Sequence, residues 1–261
     1  MNSSALPTSG PSSAPFDRAI FEQLARAEPG HFWFEQRRRL LLWALRRYFP
    51  SARSFCEVGS GTGFVLESIE SALPDLVLTG VEYFADAIPY AARRLKRARL
   101  LTGDICNLPF REEFDVVGCF DVLEHIPDDR LALSNLARSV RPGGGAIITV
   151  PQNPALWSAF DELAHHQRRY RRAELLEKIA EAGLVCERIT SFMSILLPAM
   201  WLSRRAVRPA EELLERQLNP SPLTNRFGMA VLGLERRMIA RGASFPWGSS
   251  LLLIATKPRP E

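Results

Sequence analysis

Phe55-Cys56-Glu57-Val58-Gly59-Ser60-Gly61-Thr62-Gly63-Phe64 is the stretch whose reading decides the fold. A short apolar run ends on an acid, three glycines follow at alternate positions, and an apolar helical pattern begins at once. Glycines at such a junction let the backbone turn sharply and approach a ligand with no side chain between. Their spacing narrows the ligand. A dinucleotide fingerprint reads G-x-G-x-x-G and turns the helix N-terminus toward a pyrophosphate. Here the third glycine comes one place early, and Phe64 stands where a small residue belongs. No Gly-Lys-Ser/Thr ending follows, which excludes a nucleoside-triphosphate loop. Glu57, just ahead of the first glycine, would repel phosphate and suits a ligand that carries an ammonium group.

Outward from this loop, strand and helix patterns alternate. Strands are predicted at 54–58, 76–82, 99–102, 114–120, 146–150, 185–191 and 249–257, and helices at 62–73, 85–96, 129–140 and 172–182. Arg141-Pro142-Gly143-Gly144-Gly145 reads as a turn before the fifth strand, and Gly183 as a helix C-cap. This rhythm predicts an α/β fold, a doubly wound and mainly parallel seven-stranded sheet with helices on both faces. Residues 1–15, rich in Ser, Pro, Gly and Ala, read as a disordered tail. Residues 16–50 read as N-terminal helices, 51–192 as the core and 193–246 as a helical insertion. Residues 247–261 read as the final strand and C-terminus.

Composition sets bounds. Of 261 residues, 46% are hydrophobic and 24% charged, enough to fill a core. A net charge of +4 falls short of the dense basic field of a dedicated nucleic-acid binder, so no nucleic-acid partner is expected. Four cysteines, Cys56, Cys106, Cys119 and Cys186, stand singly with no metal-like spacing. No disulfide framework and no metal ligand are predicted, and the natural compartment is the reducing cytoplasm. The N-terminus lacks the basic start and apolar run of a signal peptide, and no segment approaches the ~20 apolar residues of a membrane span.

Glu57-Val58-Gly59-Ser60-Gly61-Thr62-Gly63 resembles the first motif of class I S-adenosylmethionine-dependent methyltransferases. Three later positions agree. Glu82, in Gly80-Val81-Glu82-Tyr83, ends the second strand, where the family's carboxylate accepts both ribose hydroxyls. Gly103-Asp104-Ile105 resembles the segment whose Asp accepts from the adenine amino group. Phe120-Asp121-Val122-Leu123-Glu124-His125 resembles the segment that lines the methionine end and the methyl-transfer centre. The resemblance implies a Rossmann-like sheet with its last strand antiparallel and S-adenosylmethionine as cofactor. It would be held by Glu57, Gly59, Ser60, Gly61, Gly63, Glu82, Tyr83, Asp104, Ile105, Phe120 and Asp121. Taken one at a time, each carboxylate also fits a plainer role: Asp104 could cap a turn, and Glu82 or Asp121 could end a strand in solvent.

A sulfonium methyl is already electrophilic, so the protein mainly aligns a nucleophile, and it needs a base only if the acceptor must lose a proton. Candidates lie in Phe120–His125 and in Trp157–Tyr170, the second segment following the fifth strand, where ligands collect in open α/β sheets. The segment from Trp157 to Tyr170 resembles a Leu-Trp-Ser, Asp, His, Arg-Arg-Tyr pattern of a bacterial subgroup, with His166 at the matching histidine. His166 is read as orienting or deprotonating the acceptor, with Asp161 or Tyr170 beside it. The alternative is a histidine that only ties the site wall to the next helix. His125 is read as structural or cofactor-side. The aromatics of His31-Phe32-Trp33-Phe34 either cover the site or pack the N-terminal helix on the core.

The insertion carries two apolar helical patterns beside arginines. One holds Met193 to Leu202; the other repeats Phe227, Val231, Leu234 and Met238. Such stripes fit a lid over an apolar substrate, a patch resting on an anionic membrane at 193–243, or helices packed on each other or across a homodimer. The expected acceptor is small and apolar, lipid-, isoprenoid- or quinone-like, at the cytoplasm or the inner membrane face. RNA or protein methylation, or a non-catalytic cofactor-binding module, are the competing readings.

Overall fold

The computed structural model describes residues 18–204 and 215–260. The expected tail and the middle of the insertion lie outside these residues. Seven strands form one sheet: β1 Ser54–Val58, β2 Val77–Glu82, β3 Arg99–Thr102, β4 Phe114–Phe120, β5 Val140–Pro151, β6 Val185–Phe192 and β7 Ser250–Thr256. Their order is β3-β2-β1-β4-β5-β7-β6. All pairs from β3 to β5 are parallel, and β7 runs antiparallel to both β5 and β6. The doubly wound sheet with its reversed last strand is therefore present. The chain reverses direction in strand order at β1 and β4, which opens a crevice at the carboxyl edge between them.

Central strands are apolar on both faces because helices cover both. Of β4, only Asp115 is not fully buried, and β7 is buried from Ser250 to Ala255. One face packs Leu133, Leu136, Leu175 and Ile179, from α5 (Asp129–Ser139) and α7 (Arg172–Glu181), on Val117, Ile148 and Leu253. The other packs Leu41, Leu45, Leu66, Ile69, Leu232 and Ile239 on Val116, Ile147 and Ile254. Those residues come from α2 (Phe32–Tyr48), α3 (Phe64–Ala72) and the helix Pro222–Ala240, here α9. A buried Leu or Ile contributes about 1.5–3 kcal/mol, so this two-sided sandwich holds the sheet and its edge rigid.

Two readings change. Residues 141–145 are not a turn between α5 and a later strand: they belong to β5, which starts at Val140. Gly143 adopts φ +82°, and Gly143 and Gly144 exchange backbone hydrogen bonds with Lys257, so the glycines bend the strand rather than end it. The helix predicted at 85–96 splits into a 3-10 turn, Ala85–Ala87, and α4 (Ile88–Arg94), with Pro89 in its first turn.

Before β1, α1 (Arg18–Ala27) breaks at Pro29-Gly30, and His31 caps α2 by accepting from Trp33 N. His31 stacks on Phe32, and Phe34 meets Phe64 edge to face, so this aromatic group packs α2 beside the glycine loop. Helix α9 lies along α2. Asn225 accepts from Phe32 N and donates to Gly30 O. Gly228 leaves room for the Phe32 ring, which a Cβ there would meet at 2.5 Å. Buried Glu235 accepts from Ser194 N and Ile195 N, which ties α9 to the turn after β6. The insertion thus packs on the N-terminal helix through Gly228, Leu232, Gly233 and Ile239. Phe227, Leu234 and Met238 of the predicted stripe face outward.

Candidate active site

At the end of β1 the loop carries out what its glycines foretold. Gly59, Gly61 and Gly63 have φ of +77°, +51° and +77°, a region costly for any other residue. A Cβ on Gly59 would sit 2.2 Å from Val122 Cγ2 in the loop after β4. At Gly61 nothing lies within 4 Å of that position, so the peptide there borders open space. Gly59 N and Ser60 N both donate to Val81 O, and Gly61 N donates to Glu82 Oε2 at 2.7 Å. The other oxygen of Glu82 accepts from Phe84 N at 3.0 Å. With Tyr83 N as a further backbone donor, three N–H groups fix this carboxylate, and a carboxylate's roughly four acceptor positions leave room for a ligand hydroxyl. Burial pushes the Glu82 carboxyl above its ordinary range, with the loop N–H groups pulling the other way.

Glu57 is buried, and its Oε2 has no hydrogen-bond partner among the described residues. Desolvation lifts its carboxyl to about 8, and Arg37 opposes the rise. Asp104 does cap a turn, accepting from Cys106 N at 2.8 Å through Oδ1, which leaves its second oxygen available. Asp121 is not a bare strand end in solvent. It sits at φ +55° and pairs with Arg37 at 2.6 Å, and Arg37 also donates to Phe120 O. Ile105 and Phe120 are buried, Tyr83 is exposed, and Ser60 Oγ is buried, so the loop serine offers its backbone to the crevice edge. Beneath the loop, Thr62 Oγ1 donates to Glu28 Oε2 and Arg94 donates to the same oxygen at 2.9 Å. That network clips α1 over the loop.

The β4–β5 side is built around a second carboxylate. Asp161, fully buried in α6 (Ala159–Leu163), accepts from Ser158 N and Ser158 Oγ as part of that helix's cap. Its other oxygen holds His166 Nδ1 at 2.9 Å and Arg169 Nε at 2.7 Å. His166 and His125 meet edge to face, with ring centroids 4.8 Å apart. Glu124 is buried beside them with Oε2 unpartnered among the described residues. Burial and the Asp121 charge raise its carboxyl far above the usual range. Burial, then the His166 charge, push the His125 imidazole down to about 4, so it is neutral at physiological pH.

The structure therefore joins Asp161 to His166 and leaves Tyr170 out. The Tyr170 hydroxyl donates to Asp129 Oδ2 at 2.6 Å and to Leu123 O at 3.2 Å, deep under α5. Arg168 and Lys178 complete that buried knot around Asp129. Sequence reading missed Glu28, Arg37 and Arg94, whose partners lie tens of residues away. Glu124 falls within the candidate segment Phe120–His125, where the sequence alone gives it no role of its own.

These residues fit S-adenosylmethionine. The unpartnered, buried Oε2 of Glu57 matches an ammonium group, Glu82 a ribose diol and Asp104 an adenine amino group. Open space at Gly61 matches close backbone approach.

Comparison with known proteins agrees. Residues 56–148 match the methyltransferase-domain family. A probable S-adenosylmethionine-dependent methyltransferase of Mycolicibacterium smegmatis is 26% identical over 187 residues, 70% of this chain and 67% of that protein. The ubiquinone biosynthesis O-methyltransferase of Pseudomonas putida is 29% identical over 121 residues, 43% of this chain and 50% of that protein. The chain thus spans about two thirds of the first relative's length and half of the second's. Among solved structures, Haemonchus contortus phosphoethanolamine N-methyltransferase 2 in complex with S-adenosyl-L-methionine superposes with a TM-score of 0.63 at 17% identity. That match covers 94% of this chain and 58% of the other. The [4+2]-cyclase SpnF superposes at 0.57 and 17%, over 97% and 100%. Likeness at these identities is one of fold.

Proposed function

We propose that this chain, which carries a class I S-adenosylmethionine-dependent methyltransferase domain, methylates a hydroxyl of a small apolar, lipid- or quinone-like acceptor at a membrane surface. When bound, the cofactor supplies an electrophilic methyl. The chain's own residues do the rest. Glu57, Glu82 and Asp104 hold the cofactor, and the loop glycines let the backbone close on it. His166, fixed by Asp161 through Nδ1, presents its other ring nitrogen to the acceptor. A cofactor held there would supply its methyl to the acceptor oxygen and leave as the thioether, and His166 would take the hydroxyl proton. Buried Glu124 and the half-buried, neutral His125 imidazole line that corner.

The observation that carries the acceptor reading is the outward face of α9. Leu223, Phe227, Leu234 and Met238 are 79%, 62%, 52% and 39% exposed and fall on one side of the helix. Exposed Arg226, Arg237 and Arg241 border that stripe on the same turn sequence. Trp201 and Leu202 of α8 (Leu197–Arg204) add 46% and 67% exposed apolar surface. An apolar stripe edged with arginine, on a helix whose other face is fixed to α2, fits the interface of an anionic bilayer. Among the described residues no helix is long and apolar enough to cross one. The oxygen acceptor is supported by the His166–Asp161 pair and by likeness to the ubiquinone O-methyltransferases.

The test is transfer of labelled methyl groups to lipid extracts in the presence of vesicles. Wild type is expected to sediment with anionic vesicles and label a lipid-phase product with an alkali-stable methyl ether. Phe227→Glu with Leu234→Glu should abolish sedimentation and keep cofactor affinity. His166→Ala should lower kcat about 100-fold with cofactor affinity within about twofold of wild type. Labelling confined to RNA or protein would overturn the acceptor reading, and unchanged turnover would remove His166 from the mechanism.

A further inference from the structure

Glu124, His125 and His166 place a carboxylate oxygen and two imidazole nitrogens within 4.8 Å of one another. The three come from the turn Leu123–His125 after β4 and the segment after α6. Two features set the group apart from an incidental cluster. Glu124 is 1% exposed, carries a buried Oε2 with no hydrogen-bond partner, and forms no ion pair among the described residues. The arginines nearest in the network are engaged elsewhere, Arg169 with Asp161 and Arg37 with Asp121. His166 also hands Nδ1 to buried Asp161, which fixes the ring and leaves Nε2 as the nitrogen for the cluster. A carboxylate behind a histidine is the outer support that metal-ligating imidazoles use, because it sets the tautomer and raises ligand basicity.

We propose that Glu124, His125 and His166 bind a divalent first-row transition ion, of the zinc, iron or manganese kind, with coordination positions left open to the acceptor. Two imidazoles and one carboxylate favour such an ion over magnesium or calcium, which prefer all-oxygen sites. Ligation at about 2.1 Å draws the three atoms to roughly 3.4 Å apart, a movement within reach of side-chain rotation. An ion here would take an acceptor hydroxyl as a further ligand and lower its pKa, so that the proton leaves to solvent and His166 acts as ligand in place of the base role given above. This catalytic consequence rests on the hydroxyl-acceptor reading above. The binding site stands without it.

Metal alone tests it. Purified chain stripped with chelator is titrated with Co²⁺, followed by its visible absorption and by calorimetry, with no cofactor or acceptor present. One ion per chain is expected, with an absorption typical of nitrogen ligation. Glu124→Gln and His166→Asn should each weaken binding about 10–100-fold. A second readout needs no variant: of the chain's four histidines, Zn²⁺ should protect His125 and His166 from diethylpyrocarbonate while exposed His165 keeps its reactivity. Uptake by wild type no greater than by His166→Asn, or equal modification with and without Zn²⁺, would overturn the proposal. S-adenosylhomocysteine titrated into the same sample separates the failures: cofactor binding kept with no ion bound overturns the metal site alone.

Discussion

On the β1–β2–β3 side of the crevice each functional group stands at or just beyond a strand end: Glu57 in β1, Glu82 in β2 and Asp104 two residues past β3. On the β4–β5 side they come from a turn, a five-residue helix and the loop behind it, joined only by side chains. The first side is set by backbone, since parallel register alone delivers three carboxylates to one edge and three positive-φ glycines open the space between. The second side is set by a polar network around Asp161, in which each member is held by another. Backbone-set groups tolerate loss of a neighbour, whereas network-set groups move together. A shared fold explains the first side and leaves the second free to change chemistry, which is why relatives of like fold need not share an acceptor.

The largest effect should come from the backbone side. In Gly59→Ala the new Cβ meets Val122 at 2.2 Å, and the residue must hold φ +77°. S-adenosylhomocysteine affinity should fall about 100-fold or more, with far-UV circular dichroism unchanged. Near-normal binding would show that the cradle does not depend on that close approach.

Next in size is a pH dependence. Glu57 without ligand holds its proton up to about pH 8, and an ammonium partner favours the ionised form. Binding should therefore release a proton below pH 8. Affinity should rise by up to about tenfold per pH unit from pH 6 and level off near 8. Glu57→Gln should bind weakly and without that slope. A flat profile in wild type would mean that Glu57 does not face the ligand's charge.

The smallest effect belongs to the network side's outer ring. Tyr170→Phe removes a hydroxyl bonded to Asp129 and Leu123, so unfolding free energy should drop by about 1–2 kcal/mol with cofactor affinity and kcat unchanged. A large fall in kcat at equal stability would return Tyr170 to the chemistry.

The same contrast governs what the sequence discloses. β1, β3 and β4 match their predicted limits because short apolar runs are bounded by charged or turn residues. The strand ends then place Glu57, Glu82 and Asp104 by counting. The 141–145 glycines read as a turn because nothing local shows that Lys257, more than a hundred residues on, will pair with them. The Arg37–Asp121 and Glu28–Thr62–Arg94 pairings are equally silent, since no spacing links α1 and α2 to the loops they meet. Tyr170 shares a motif with His166, and that place in the sequence points it toward the site. Four residues on from His166 its side chain turns into the core, a direction that the motif does not encode.

Calorimetric titration with S-adenosylhomocysteine, comparing wild type with Glu82→Ala, addresses the central claim most directly. One site per chain in wild type, weakened about 50-fold or more when the carboxylate that holds Gly61 and faces the crevice is removed, is the predicted result. No heat from well-folded wild type, or equal binding by the variant, would contradict the assignment of this edge as the cofactor site.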